Sequence, residues 1–179
     1  MNSKRVGNSN ERNLAKLLSK WTGWEFHRTP ASGGLHWCGD YRVVGDVICD
    51  SKHVDEFPFS VETKRRRGRR KKSDNSKVDV VNISDILLRG NESFIMKCFC
   101  QASEDASRGG LKPILFLRNV GMSKYQYFVF MDLHVGKRLR KTVGISGVCF
   151  PEFGIFATTA SNLFAANCHE VFSVVLNCL

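Results

Sequence analysis

The stretch from Gly45 to Lys64, GDVICDSKHVDEFPFSVETK, constrains this chain more than any other. Val43-Val44-Gly45-Asp46-Val47-Ile48 reads as a strand that ends in a carboxylate. Sixteen residues after Asp46, Glu62-Thr63-Lys64 falls inside a second strand-like run, Phe57 to Lys64. Side chains alternate faces along a strand, so Glu62 and Lys64 share one face while Val61 and Thr63 share the other. Two acids and a lysine converging at a sheet edge can hold a hard divalent cation and activate a water beside it. Phosphodiesters are cleaved by that chemistry.

Composition narrows the setting. A chain of 179 residues, 42% hydrophobic, fits one domain with a sizeable core and argues against disorder. No run approaches a membrane span, and the polar start Met1-Asn2-Ser3-Lys4-Arg5 does not read as a signal peptide. The seven cysteines are odd in number and several sit in apolar runs, so reduced, buried thiols in an intracellular protein are expected. Cys98-x-Cys100 has no second pair to complete a zinc site. The net charge is +10, but Arg65-Arg66-Arg67-Gly68-Arg69-Arg70-Lys71-Lys72 carries seven of the 27 basic residues, and without it the balance falls to +3. A localised basic patch directly after Lys64 suggests a polyanionic partner rather than only a solvated loop.

Along the chain, residues 1–8 read as a flexible basic arm. A helix is expected from about Ser9 or Asn10 to Trp21, with Asn10 as N-cap and Leu14, Leu17, Leu18 and Trp21 as its apolar stripe. Glu11 lies at the edge of that stripe, where it either serves the helix dipole or points into a site. Strands are expected near 24–28, 42–49 and 57–65, and a short helix or turn over 82–88. A helix over 92–107 with Asn91 as cap would end at Gly109-Gly110. A hairpin should join 113–117 to 125–131, and a last helix spans 160–172.

The ordered set Asn10-Glu11-Arg12, His27-Arg28-Thr29-Pro30-Ala31-Ser32-Gly33-Gly34, Gly45-Asp46-Val47, Val61-Glu62-Thr63-Lys64, and Gln101 followed by Gly110-Leu111-Lys112-Pro113-Ile114-Leu115 resembles the PD-(D/E)xK nuclease superfamily. Within it, the set is similar to the archaeal-type Holliday junction resolvases and their phage relatives. The resemblance covers about residues 4–132. Gly45 departs from it, standing where the family often has proline, and the gap between Asp46 and Glu62 is wide. Asp50, Asp55 and Glu56 lie in that gap as competing acids.

The resemblance implies the roles. Asp46 and Glu62 would bind Mg²⁺ or Mn²⁺, with the Thr63 carbonyl as a further ligand and Glu11 joining directly or through water. Lys64 would orient or deprotonate the attacking water, or stabilise the phosphorane's charge. Ser32 would contact the scissile phosphate. Arg28 and the run Arg65, Arg66, Arg67, Arg69, Arg70, Lys71 and Lys72 would hold the DNA backbone, and Gln101 would support the site from its helix.

The expectation is therefore an α/β protein with a restriction-endonuclease-like core, a mixed central sheet flanked by helices. One nuclease domain spans 1–179, with its core at about 9–132 and a C-terminal extension, 133–179, packed on it. The expected activity is a metal-dependent DNA endonuclease, a junction resolvase acting as a homodimer on four-way or branched DNA, with no membrane association. A restriction-like or repair nuclease of the same superfamily is the alternative within the enzyme class. A non-catalytic basic nucleic-acid-binding protein, or a structural or ribosome-associated one, would leave Asp46, Glu62 and Lys64 unexplained.

Overall fold

The computed structural model describes residues 3–29, 44–50, 52–66, 82–119 and 121–179. The elements in order are α1 (Ser3–Thr22), β1 (Phe26–Arg28), β2 (Val47–Cys49), β3 (Phe59–Arg66), α2 (Ser84–Arg89), α3 (Phe94–Arg108), β4 (Lys112–Asn119), β5 (Phe128–Asp132), α4 (Leu133–Thr142), β6 (Val148–Phe150), β7 (Ile155–Thr159), α5 (Ala160–Phe164) and α6 (Cys168–Leu176). The strands form one seven-stranded sheet in the order β1-β2-β3-β4-β5-β7-β6. Only β3 and β4 run parallel, joined by the α3 crossover; every other pair is antiparallel. This is the expected α/β architecture.

Each sheet face buries its own cluster. Val61, Ile114, Phe116, Val129, Met131 and Phe156 point to the face covered by α1, α4, α5 and α6, where they meet Leu14, Leu18, Leu139, Leu163 and Val171. Leu115, Leu117 and Phe130 point the other way, onto Ile86 of α2 and Ile95, Cys98 and Phe99 of α3. The near-continuous apolar run of β4 reflects burial on both faces, as a central strand of a parallel pair requires.

Several local expectations change. The helix does not begin at Asn10: it starts at Ser3, so the expected arm is helical from that residue on. Ser93, not Asn91, caps α3, its hydroxyl accepting from the Met96 amide at 3.2 Å. The last helix is two, α5 and α6, separated at Ala165-Ala166-Asn167. The largest correction concerns residues 133–179, which are not an extension laid on a finished core. β7 pairs with β5 along five rungs, and α4 and α6 cover one face. Strands as short as β6, three residues, show no usable period-two pattern in the sequence. The chain's two ends also meet: the Trp21 indole donates to the Ala166 carbonyl at 2.9 Å, and its ring packs on Phe164 and Phe172. No helix among the described residues is long and apolar enough to cross a membrane.

Close packing of α4 on β7 depends on a glycine. A Cβ at Gly136 would lie 2.2 Å from the Phe156 Cβ, and one at Gly147 would lie 2.3 Å from its Cζ. Gly136→Ala should therefore destabilise the fold by roughly 1–3 kcal/mol through overpacking, despite alanine's better helix propensity. A urea midpoint equal to the parent's would show that the Phe156 ring yields freely.

Candidate active site

The site forms where β2 leaves β3. Their ladder contains one paired rung, Val47 opposite Val61, reinforced by the Asp46 amide donating to the Val61 carbonyl at 2.7 Å. Continued pairing would set Gly45 against Thr63. Instead Gly45 adopts φ +93°, and a Cβ there would stand 2.6 Å from the Val61 carbonyl oxygen. Proline, fixed near φ −65°, cannot take this conformation, which accounts for the glycine that departs from the family pattern. The Thr63 amide then finds the Asp46 carboxylate, accepting at 3.0 Å, in place of a backbone carbonyl. The N–H and C=O of a strand residue leave on the same edge, so the Thr63 carbonyl faces this notch as well. Asp46 thus stands just before β2, not at the end of a strand as expected.

Glu62 and Lys64 share the α3 side of β3 and form an ion pair, Glu62 nearly fully buried and Lys64 half-exposed. Burial and then the adjacent Asp46 charge push the Glu62 carboxyl up to about 7, against the pull of Lys64. For the Lys64 ammonium, burial works against the charge, but Glu62 and Asp46 outweigh it and raise its pKa. Glu11 projects from α1 toward the same place: burial raises its pKa, its bond from Arg28 opposes this, and Asp46 adds to the rise. Two carboxylates forced together at low exposure are a donor set that a hard dication would relieve. Among the described residues no group of three or more His, Cys, Asp or Glu side chains is placed to hold a metal. The chain's own share would therefore be Asp46, Glu62 and the Thr63 carbonyl, with water completing the shell.

A buried polar chain supports the strand from the α1 side. Asn10 Nδ2 donates to Thr63 Oγ1 at 2.7 Å, Thr63 Oγ1 donates to the Phe116 carbonyl at 3.1 Å, and the Tyr127 hydroxyl donates to Asn10 Oδ1 at 3.2 Å. Asn10, read from the sequence as a helix cap, is instead a buried tie between α1, β3 and Tyr127, the residue ahead of β5. Local sequence carries no signal for a partner 53 residues away.

The other expected residues divide. Arg28, on β1, is engaged by Glu11. Arg65 and Arg66 end β3 half-buried, Arg66 lying over the Phe94 ring at 4.6 Å. Gln101 is exposed on α3, where the side chain that feels both Lys64 and Glu62 is Cys98, one turn earlier. Ser32, Arg67, Arg69, Arg70, Lys71 and Lys72 lie outside the described residues. Of the competing acids, Asp50 and Glu56 engage His53 beyond the far end of β2.

The raised Glu62 pKa has a consequence for stability. A carboxyl that rises from 4.5 to about 7 on folding binds more protons in the folded state between those values. Stability is then lost as pH climbs through that window. In a chelator, Glu62→Gln should melt above the parent at pH 8 and lose that advantage toward pH 5, because the amide can donate to Asp46 as the protonated acid does. Parallel pH profiles for the two proteins would remove Glu62 as the group responsible.

A family model described as "Phage putative PDDEXK endonuclease" matches residues 2–144, the span from α1 through α4 that contains the whole notch. No curated protein and no solved structure gives a significant match. The match covers most of the chain and includes Asp46 and Glu62-Thr63-Lys64, and the chain therefore belongs to the phage PDDEXK endonuclease family, as a nuclease of the PD-(D/E)xK superfamily.

Proposed function

We propose that this nuclease is a Mg²⁺- or Mn²⁺-dependent endodeoxyribonuclease whose centre is the notch between Asp46 and Glu62. The observation that carries the reading is the pair of buried carboxylates beside Lys64, one of them fixed by the Thr63 amide. A bound dication would lower the pKa of a coordinated water and offset charge developing on the phosphate. Lys64, on the same face as Glu62 and ion-paired with it, is placed to stabilise that charge. Glu11, already engaged by Arg28, fits contact through water better than direct ligation. Arg28 is then a positioning residue for Glu11. Ser32 and the basic residues from Arg65 to Lys72 are assigned to the DNA backbone.

The substrate we favour is branched DNA, in particular a four-way junction cut by a homodimer. Support comes from the sequence resemblance of Arg28-Thr29-Pro30-Ala31-Ser32-Gly33-Gly34 to junction resolvases. A junction of near-twofold symmetry needs two cuts, which two identical sites in a symmetric dimer provide. The deciding assay compares labelled four-way junction, flap and linear duplex, each with Mg²⁺, with Mn²⁺ and with chelator. Preferential paired nicking of the junction supports the reading. Equal cutting of linear duplex would move the protein to the restriction-like or repair nucleases.

Two substitutions test the chemistry. Asp46→Asn should abolish cleavage while leaving DNA binding largely intact. Lys64→Ala should slow single-turnover cleavage by roughly 10²–10⁴-fold, with incomplete rescue by arginine. A loss under about tenfold would make Lys64 another basic surface residue.

A further inference from the structure

On the α1 side of β3, one residue past Lys64, two arginines stand side by side. Arg65 and Arg118 are directly opposite each other in the β3–β4 register. Arg118 is only 4% exposed, yet its Nε and Nη1, like the Nε of Arg65, are buried with no hydrogen-bond partner among the described residues. The Arg118 guanidinium lies 5.7 Å from the centre of the Tyr127 ring, which offers a cation–π contact but not the in-line acceptors that its N–H groups take. Other arginines are provided for: Arg28 has Glu11 and Arg108 has Asp105. Burial pulls the Arg118 pKa down, Tyr127 opposes, and Arg65 lowers it further; no carboxylate is among these influences. A buried, unneutralised pair of like charges costs stability unless something of opposite charge completes it.

The geometry selects the missing group. Two guanidinium forks presenting several free N–H donors match a tetrahedral oxyanion, above all a phosphate. The rung is three residues beyond Glu62, about 10 Å along the strand. A nucleic-acid strand places a phosphate about every 3.4 Å of helix axis, so one close to the scissile group can reach this rung. Arg65, half-exposed at the end of β3, is the side from which an anion would reach Arg118. Tyr127 links the pair to Asn10 and Thr63, and so to the strand that carries the notch.

We propose that Arg65 and Arg118 form a second phosphate site that takes a backbone phosphate of the bound strand, on the face of β3 opposite Lys64. The assignment of the ligand to a nucleic-acid strand rests on the nuclease reading above. Arg118 was not among the residues expected to bind DNA. A lone arginine at the end of an apolar strand gives no sequence signal of being unpaired.

The test uses the full-length protein and two variants, Arg118→Met and Arg65→Met, the second at a half-exposed position that tolerates substitution should the first fail to fold. Inorganic phosphate, added at constant ionic strength in chelator, should raise the parent's melting temperature and leave that of either variant unmoved. On a linear duplex without metal, the slope of log affinity against log salt should fall by about 0.9 in each variant. An equal phosphate response in parent and variants, including none in any, overturns the site. A slope that stays at the parent's value overturns it as a strand contact, even where the phosphate response is lost, since that result assigns the pocket to free phosphate. Cleavage is scored separately: a parent that binds duplex through Arg118 but cuts no DNA with either metal would sink the nuclease reading and leave this site standing.

Discussion

The Thr63 amide donates to a carboxylate rather than to a carbonyl, and the arrangement of the site follows from that exchange. An antiparallel ladder leaves no room for a cation between its strands. By turning at Gly45 and handing the pairing role to the Asp46 side chain, the chain ends the β2–β3 ladder without orphaning the Thr63 N–H. The notch so opened is lined by groups that hydrogen bonding has already fixed in place. An ionised acceptor makes this bond stronger than the backbone bond it replaces.

Electrostatic cost accumulates at the same point. Glu62 is held close to Asp46 with little solvent, and Arg65 and Arg118 are held close to each other one rung past Lys64. Both crowdings disfavour the fold in isolation and both are of the kind that a ligand removes. Like charges grouped on either side of one strand, acids toward the notch and guanidinium groups beyond it, give β3 a polarity suited to a substrate that is itself a polyanion bound with cations.

Much of this was legible in the sequence, for identifiable reasons. The Leu14–Leu18 stripe, the apolar run of β4 and the alternation that puts Glu62 beside Lys64 are short-range patterns, and they predicted α1, β4 and the shared face of Glu62 and Lys64. Asp46 and Glu62-Thr63-Lys64 drew attention by their order along two strand-like runs, despite the wide gap between them. What escaped depended on distant partners. Asn10 looked like a helix cap because its partners, Thr63 and Tyr127, are brought to it only by the fold. The need for glycine at position 136 likewise arises only because the fold lays Phe156 across it. Residues 133–179 looked like an appendage because β6 and β7 are too short to announce themselves, and the matched family region likewise stops at residue 144.

The bond from Trp21 to Ala166 spans 145 residues and has a temporal meaning. During synthesis, α1 with Asn10 and Glu11 emerges well before the segment that carries Ala166. Until Ala166 and Phe172 are free of the ribosome, α1 holds only its ties to β1 and β3, and β5 lacks the neighbour that β7 supplies. Contacts of such sequence separation form late and slowly. The notch is encoded between Asp46 and Lys64, but the sheet and helices that pack around it reach to α6. The sheet around the notch is therefore completed only after Asp46, Glu62 and Lys64 have all been translated.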